Sequence, residues 1–278
     1  MIDNIYIDNL IMAALKEDMP LGDITTDNLI DMSSISKALL IAKEDGIIAG
    51  LDVAERVFKL LNADIKFSRY FEDGDSVRNG EKIALIEGNT RAILKAERTS
   101  LNLLQRLSGI ATKTSEFCEK IKGSSAKIVD TRKTTAGLRF LEKYAVRAGG
   151  GQNHRFCLSD GVLIKDNHIK AAGGIKKAVE LAKNSVPHTI KIEVETETMD
   201  QVLEALEAKA DIIMLDNMSI DTMKEAVKLI NKRAVVEASG NVTLDTVANI
   251  ASTGVDIISV GALTHSVKAF DISLKFIE

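Results

Sequence analysis

Short apolar runs alternate with helical patterns throughout the part of the chain that follows Gly123. Six runs rich in β-branched residues predict strands at 127–130, 161–165, 189–195, 211–216, 234–239 and 255–261. Apolar residues at three- and four-residue spacing predict helices between them, at 138–147, 175–183, 199–208, 220–231 and 244–251. This alternation is typical of a parallel sheet, whose strands are apolar throughout because both faces are covered. Six units are too few for an eight-stranded barrel, so we expect an open or incomplete barrel or a doubly wound sheet.

The chain before about Gly88 mixes short strands with helices instead. Strands are predicted within 37–50, at 64–70 and at 82–87, and helices at 9–17, capped by Asp8, and at 52–61. Asn89 is predicted to cap a long helix at 90–107, and a second helix at 112–121 follows a break at Ser108-Gly109-Ile110. The whole chain therefore belongs to the α/β class, with an N-terminal layer of mixed strands and helices.

Composition excludes several classes of protein. The 278 residues are 45% hydrophobic and 27% charged, which is typical of a globular protein. The net charge of −4, the aromatic content of 4% and the lack of Trp argue against a nucleic-acid partner. We expect a cytoplasmic protein without a membrane partner, because no apolar run has the length of a membrane span and the first residues lack the features of a signal peptide. The two cysteines form no CxxC motif, so neither a zinc site nor a disulfide framework is indicated.

Polar, charged or glycine residues follow every predicted strand of the second half. They are Asp130–Lys133, Lys165–Asn167, Glu195, Asp216–Asn217, Ser239–Asn241 and Val260–Ala262. Each of these groups alone could be a turn, a helix cap or a surface charge. In parallel α/β folds, however, ligands bind at the edge formed by the carboxyl ends of the strands. Six polar groups at that one edge therefore predict a binding site.

Cations form the first chemical set at this edge, together with a Gly149-Gly150-Gly151 triplet that lets the backbone approach a ligand. The cations are Arg132, Lys133, His154, Arg155 and Lys165, with Arg98 as a further candidate. Arginine binds carboxylates in a bidentate manner and lysine acts as a point charge, so this set predicts a small molecule with several negative charges.

Carboxylates and small-residue turns form two further sets. Glu195 and Asp216, on neighbouring strands, could hold Mg²⁺ through oxygen, directly or through water, or stabilise a positive carbon. The turns Ser239-Gly240-Asn241 and Val260-Gly261-Ala262 offer backbone N–H groups for a phosphate. The three sets together predict a phosphorylated substrate and a carboxylated one.

Long motifs in nearly the whole chain resemble those of the quinolinate phosphoribosyltransferase family. They are Glu17–Thr26, Glu97–Thr112, Asp130–Arg155, Leu163–Ile169, Ile192–Glu195, Asp211–Met218, Glu237–Gly240 and Ile258–Ser266. The resemblance implies an N-terminal α/β sandwich domain over 1–109 and an open, incomplete β/α barrel with parallel strands over 110–267. It also implies a C-terminal tail, 268–278, that returns to the first domain.

The resemblance further implies a reaction. The family joins quinolinate to phosphoribosyl pyrophosphate with Mg²⁺ and releases pyrophosphate and CO₂, giving nicotinate mononucleotide for NAD synthesis. It works as a homodimer or a larger homo-oligomer, in which Arg98 would complete the site of the neighbouring subunit.

Roles for single residues are implied in the same way. Arg132, His154, Arg155 and Lys165 would bind the two carboxylates of quinolinate, and Thr131 would also contact substrate. Lys133 and Lys165 would face pyrophosphate, and Glu195 and Asp216 would face the ribose and its metal. Ser239, Gly240 and Asn241 with Val260, Gly261 and Ala262 would hold the 5′-phosphate, with His265 close by. Departures from the family pattern occur at Ala136, Cys157, Thr196 and Asn241; asparagine tolerates a positive φ, so the phosphate turn would be retained.

Three alternatives remain open from the sequence. The first is a relative of the same fold, linked to molybdenum transport, that acts on another carboxylic acid. The second is a Schiff-base aldolase with Lys165 as the nucleophile. The third is an anion-binding module without enzymatic activity, which would not require the carboxylate pair.

Overall fold

The computed structural model describes residues 4–278 and divides into two compact units. The first unit contains the chain up to Lys113 together with 136–150 and 267–278, and the second contains 114–135 and 151–266. The sequence analysis placed residues 136–150 in the barrel domain and did not predict that they belong to the first unit. None of the helices described has both the length and the apolar character needed to cross a membrane.

Twelve strands and eleven helices are formed by the described residues. The strands are β1 (Ile35–Ala42), β2 (Gly46–Ile47), β3 (Lys66–Arg69), β4 (Ser76–Val77), β5 (Lys82–Asn89), β6 (Lys127–Val129), β7 (Val162–Ile164), β8 (Ile192–Thr196), β9 (Ile212–Asp216), β10 (Val235–Ser239), β11 (Ile257–Ser259) and β12 (Ile272–Ile277). The helices are α1 (Asn4–Asp18), α2 (Ile24–Leu29), α3 (Leu51–Leu61), α4 (Thr90–Lys120), α5 (Arg139–Ala148), α6 (Asp166–Ala172), α7 (Ile175–Ser185), α8 (Met199–Glu207), α9 (Ile220–Ile230), α10 (Val247–Ala251) and α11 (Ala262–His265).

The first unit is built on an antiparallel sheet with strand order β12-β1-β5-β3. β12, near the C-terminus, pairs along its full length with β1. Leu40 of β1 and Ile83 and Ile86 of β5 are fully buried, as are Val57 and Phe58 of the amphipathic helix α3. The unit therefore combines an apolar core with a sheet whose edge strand comes from the C-terminal segment.

Two predictions in the first unit are wrong, each for a local reason. Asp8 does not cap a helix, because α1 already begins at Asn4; its carboxylate instead accepts two hydrogen bonds of 2.6 Å from Arg56. The chain does not break at Gly109, since α4 is continuous from Thr90 to Lys120. Glycine is needed there for packing, because a Cβ at this position would collide with the backbone carbonyl of Lys268. The cap by Asn89 is confirmed: its side chain accepts a hydrogen bond from the N–H of Ala92 at 3.1 Å.

The second unit contains the predicted parallel sheet, with strand order β6-β11-β10-β9-β8-β7. All its strand pairs are parallel, and β6 and β7 form the two ends of the sheet in the described chain. Seven of the helices, α5 to α11, fall between or after these strands along the chain, and all of them except α5 belong to this unit. An open parallel α/β sheet with six strands at the predicted places is thus confirmed.

The two faces of this sheet differ strongly in polarity, which the sequence analysis did not predict. One face carries buried apolar side chains such as Val194, Ile213 and Ile258. The register places charged or polar residues of the neighbouring strands on the other face: Glu193, Glu195, Asp216, Glu237, Ser239 and Ser259. The expectation of strands apolar throughout is therefore wrong for β8 and β10, because one side of each lines a polar interior.

Candidate active site

The predicted site residues lie at the carboxyl edge of the parallel sheet, with one exception. Arg98 belongs to the first unit, where it lies exposed on α4. The others belong to the second unit, in the last residues of β8, β9 and β10 or in the segments that follow β6, β7, β10 and β11. The polar residues at the six strand ends therefore lie at one edge of one sheet, as the strand directions require.

Lys165 and Glu195 form the most direct contact in this group. Lys165 immediately follows β7, and its Nζ makes an ion pair with Oε2 of Glu195 on the neighbouring strand β8. The Lys165 side chain is 46% exposed and that of Glu195 is 13% exposed. The ammonium group therefore lies at the solvent side of the pair, where it can also contact an anionic ligand.

A second contact joins the loop after β6 to the turn after β11. The side chain of Lys133 lies against Gly261, since a Cβ added there would come within 3.1 Å of Lys133 Cδ and 3.2 Å of the His265 ring. The Thr264 hydroxyl donates a hydrogen bond of 2.7 Å to the Lys133 carbonyl. The Lys133 N–H in turn donates to the Thr131 hydroxyl at 3.0 Å. Lys133 therefore lies beside the turn Val260-Gly261-Ala262 that is predicted to bind phosphate.

A third contact joins the ends of β9 and β10. Ser239 pairs with Asp216 in register, and the N–H of Asn217 donates to the Ser239 carbonyl at 3.0 Å. The Asn217 side chain bridges the two segments, because it donates to Asp216 and accepts from Asn241. Asp216 and the turn Ser239-Gly240-Asn241 are thus brought together.

Arg132 and Arg155 are close enough to influence each other electrostatically. Burial lowers the pKa of the Arg155 guanidinium, and the positive charge of Arg132 lowers it further. The guanidinium of Arg155 also donates a hydrogen bond of 2.9 Å to the Gly161 carbonyl, which fixes its direction. Two neighbouring cations repel each other, and an anion that contacts both relieves that repulsion.

A buried acidic cluster, which the sequence analysis missed, lies on the polar face of the sheet. Oε2 of Glu193 and Oε2 of Glu237 lie 3.1 and 3.5 Å from Nε2 of His154. Both carboxylates are buried, and burial followed by the charge of Glu193 raises the pKa of Glu237 to about 7. The buried Asp130 accepts a hydrogen bond of 3.0 Å from the backbone N–H of His154, which holds the loop against the sheet.

The signal for this cluster was present in the sequence. Glu193 and Glu237 interrupt runs that are otherwise apolar, and the register places both side chains on the same face of the sheet. A carboxylate within a buried strand needs a partner, because an unpaired buried charge is costly. His154 was predicted as a ligand for substrate carboxylates, and its ring is instead in contact with two protein carboxylates.

The ligand atoms of His154, Glu193 and Glu237 lie within 4.8 Å of one another, a spacing that a metal ion could use. The ring hydrogen bonds argue for a proton instead. The N–H of Arg155 donates to Nδ1 of His154 at 2.7 Å, so Nδ1 is the acceptor and the ring proton resides on Nε2. That proton points to the carboxylates and takes the position a metal would need. Glu195 and Asp216 are better suited to the predicted Mg²⁺, since both offer carboxylate oxygens from one face of neighbouring strands.

Comparisons with known proteins agree with this geometry. Residues 23–108 match the family model of the quinolinate phosphoribosyl transferase N-terminal domain, and residues 110–275 match that of the C-terminal domain. The chain is 46% identical over 272 residues to a probable nicotinate-nucleotide pyrophosphorylase [carboxylating] of Bacillus subtilis, covering 98% of this chain and 94% of that protein. It is 48% identical over 283 residues to the mitochondrial quinolinate phosphoribosyltransferase [decarboxylating] 2 of Nicotiana glauca, covering 94% and 80% of the two proteins.

Solved structures give the same result. The nicotinate-nucleotide pyrophosphorylase of Francisella tularensis superimposes with a TM-score of 0.96 at 42% identity, covering 100% of this chain and 98% of that one. NadC of Streptococcus pyogenes gives a TM-score of 0.96 at 42% identity, with 100% and 99% covered. Sequence and structure thus agree over essentially the whole length, and the chain belongs to the quinolinate phosphoribosyltransferase family.

Proposed function

We propose that the protein transfers the phosphoribosyl group of phosphoribosyl pyrophosphate to quinolinate, with loss of CO₂, in NAD biosynthesis. The products are nicotinate mononucleotide, pyrophosphate and CO₂. The observation that carries the proposal is the Lys165–Glu195 ion pair, which lies at the sheet edge that also carries the positive charges of Arg132 and Arg155. A dicarboxylate fits the arginines, and a sugar that becomes positive fits the carboxylate.

The reaction needs no protein nucleophile. The lone pair of the pyridine nitrogen forms a bond to C1 of the ribose, while the bond from C1 to pyrophosphate breaks and its electrons leave with pyrophosphate. The bond from the ring to the adjacent carboxylate then breaks and releases CO₂. Its electron pair remains on the ring carbon beside the positive nitrogen, and a proton from solvent completes the product.

Residue roles follow from the charges. Arg132 and Arg155, with Lys165, orient the two carboxylates so that the ring nitrogen faces the sugar, and His154 holds the backbone of Arg155 through its Nδ1. Glu195 and Asp216 face the ribose, where positive charge grows in the transition state. Lys133 and Lys165 face the departing pyrophosphate, and Thr131 contacts substrate beside them.

The ribose 5′-phosphate fits the two small-residue turns. Their backbone N–H groups lie at the ends of β10 and β11, and the contact of Lys133 with Gly261 supplies a cation beside one of them. The turns are Ser239-Gly240-Asn241 and Val260-Gly261-Ala262, with His265 close to the second.

Mg²⁺ and a second subunit complete the proposal. Glu195 and Asp216 would hold Mg²⁺, directly or through water, and the ion supplies charge neutralisation for the pyrophosphate. Arg98 is exposed, and in a homodimer or a larger homo-oligomer it would enter the site of the neighbouring subunit. The cytoplasmic location expected from composition remains a prediction.

The alternatives have less support. A Schiff-base aldolase requires Lys165 as a free amine, whereas its Nζ is paired with the Glu195 carboxylate. A relative linked to molybdenum transport is not favoured by the names of the curated proteins reported above. Anion binding alone would not require carboxylates, so it does not explain why Glu195 and Asp216 lie at the sheet edge that carries the cations.

The experiment is an assay of the purified protein with quinolinate and phosphoribosyl pyrophosphate, in which CO₂ and pyrophosphate are both measured. We expect both products in equal amounts, loss of turnover with a chelator, and recovery with added Mg²⁺. Nicotinate and other pyridine acids in place of quinolinate test the choice of acid. Absence of both products with quinolinate would refute the proposal, and borohydride trapping of substrate on Lys165 would favour the aldolase.

A further inference from the structure

Three side chains form a chain of hydrogen bonds between the ends of β9 and β10. Nδ2 of Asn241 donates to Oδ1 of Asn217 at 3.0 Å, and Nδ2 of Asn217 donates to Oδ2 of Asp216 at 2.8 Å. Asp216 is the carboxylate assigned to the ribose, and Asn241 belongs to the turn assigned to the 5′-phosphate. Asn217 therefore links two parts of the site that contact different groups of one substrate.

The direction of these bonds is fixed by chemistry. An ionised carboxylate only accepts hydrogen bonds, so the group of Asn217 that faces Asp216 must be its NH₂. Its carbonyl oxygen then faces the other way and must accept, which requires the NH₂ of Asn241 to point towards it. The negative charge of Asp216 thus determines the orientation of both amides.

The backbone is adapted to the same contact. Asn217 and Asn241 have φ values of +53° and +48°, and asparagine tolerates this left-handed region better than other residues with side chains. Gly240, the middle residue of the turn, has a φ of +95°, and a Cβ there would collide with Asn217 Oδ1. The Asn217 N–H also donates to the Ser239 carbonyl at 3.0 Å. Main chain and side chain of Asn217 therefore both contact the 239–241 turn.

We propose that Asn217 is a positioning residue that couples the 239–241 turn to the carboxylate of Asp216. It directs Oδ2 of Asp216 through one hydrogen bond and holds the turn through the other two. A phosphate bound at the turn therefore orders the Asp216 carboxylate, which stabilises the positive charge that develops at C1 of the same sugar. The inference deepens the proposed function and rests on it for the identity of the substrate.

Glycine substitutions separate the parts of this chain of bonds. Asn217→Gly keeps the positive φ without strain and removes both side-chain bonds, and Asn241→Gly removes only the outer bond. Asn217→Asp keeps the shape but cannot donate to Asp216 and places two carboxylates side by side. Asn231→Gly is the matched control, because Asn231 also has a positive φ of +46°, at the end of α9.

We expect Asn217→Gly to lower kcat about tenfold, since a misdirected carboxylate stabilises the transition state less well, with the KM for quinolinate changed less than about twofold. Asn217→Asp should lower kcat at least as much. Asn241→Gly should raise the KM for phosphoribosyl pyrophosphate about threefold. The double variant with Asn217→Gly and Asn241→Gly should have the same kcat as Asn217→Gly alone. Asn231→Gly should match the wild type in every constant.

Melting temperatures accompany each measurement. If Asn217→Gly melts like the wild type and keeps kcat within twofold, the coupling is refuted. It is also refuted if quinolinate affinity and kcat fall by the same factor, because that result describes general damage to the site.

Two readouts are independent of turnover. Calorimetric binding of ribose 5-phosphate should weaken about threefold in Asn217→Gly and Asn241→Gly and remain unchanged in Asn231→Gly. In NMR spectra, Asp216→Asn should shift the side-chain amide signals of both Asn217 and Asn241. A wild-type protein without quinolinate turnover would refute the proposed function alone. Unchanged sugar phosphate binding and an unmoved Asn241 signal would refute the coupling alone.

Discussion

Nε2 of His154 lies 3.1 Å from Oε2 of Glu193, inside a polar face of the parallel sheet where Glu193 is 3% exposed. Glu237 approaches the same ring nitrogen at 3.5 Å. Two carboxylates thus share one histidine in a buried position, and burial together with repulsion by Glu193 raises the pKa of Glu237 to about 7. The cluster ties the loop that carries Arg155 to the strands that carry Glu195 and Ser239.

This pKa predicts how stability depends on pH. In the unfolded chain Glu237 loses its proton near the ordinary value of 4.5, whereas in the folded protein it keeps the proton until about pH 7. Between these values the folded state binds more protons, so the free energy of unfolding falls as pH rises, by up to about 3 kcal/mol for a shift of this size. Glu237→Gln should flatten that dependence, as measured by urea unfolding between about pH 5 and pH 8.

Glu225→Gln is the control for this experiment, because Glu225 is exposed on α9. It should leave the pH dependence of the wild type unchanged. A Glu237→Gln protein whose unfolding free energy follows the wild-type curve would show that Glu237 ionises at its ordinary pH in the folded state.

A second prediction concerns the packing of α4. Gly109→Ala should destabilise the protein by about 2 kcal/mol, because the new Cβ collides with the Lys268 carbonyl and forces the backbone to shift. The better helix propensity of alanine offsets at most about 1 kcal/mol of this cost. Urea unfolding measures the difference, with Glu116→Ala on the exposed side of the same helix as the control. A stabilised Gly109→Ala protein would mean that the C-terminal segment does not pack against α4.

Much of the sheet was predictable because its signals are local. The six strands and the polar groups that follow them are visible as apolar runs that end in charge, and strand direction alone places those groups at one edge. The Lys165–Glu195 ion pair is an example: each residue follows or ends a strand, and the strands are neighbours. Local pattern and topology together were sufficient there.

The failures have a common cause, since each depends on a residue far away in sequence. Gly109 resembles a helix breaker until Lys268 is known to lie against it. Asp8 resembles a cap until Arg56 is seen to bind it. Glu193 and Glu237 belong to strands that resemble apolar ones, and only the register shows that they share a face with each other and with a loop histidine. Local patterns carry no information about such partners.

A third prediction tests the cation pair. Arg132→Ala should raise the KM for quinolinate at least about tenfold, because a bidentate contact to a carboxylate is lost, with a smaller change in the KM for phosphoribosyl pyrophosphate. The KM of Arg132→Lys for quinolinate should lie between those of the wild type and Arg132→Ala, since lysine keeps the charge but lacks the planar guanidinium. Steady-state kinetics with each substrate varied in turn provide the constants, and Lys228→Ala on the exposed side of α9 is the control. The assignment of Arg132 fails if the phosphorylated substrate shows the larger change.

A fourth prediction concerns Asp216, whose Oδ2 accepts a hydrogen bond of 2.8 Å from Asn217. Asp216→Asn keeps the size of the side chain and removes its negative charge, so it withdraws stabilisation where the ribose becomes positive. We expect kcat to fall about a hundredfold while the KM for quinolinate changes less than about threefold, since the charge acts mainly in the transition state. Asp245→Asn, at an exposed position in the same unit, should change neither constant. Equal losses in kcat and in quinolinate affinity would mean that Asp216 holds the ground state of the acid, and the assignment of this carboxylate to the sugar would be wrong.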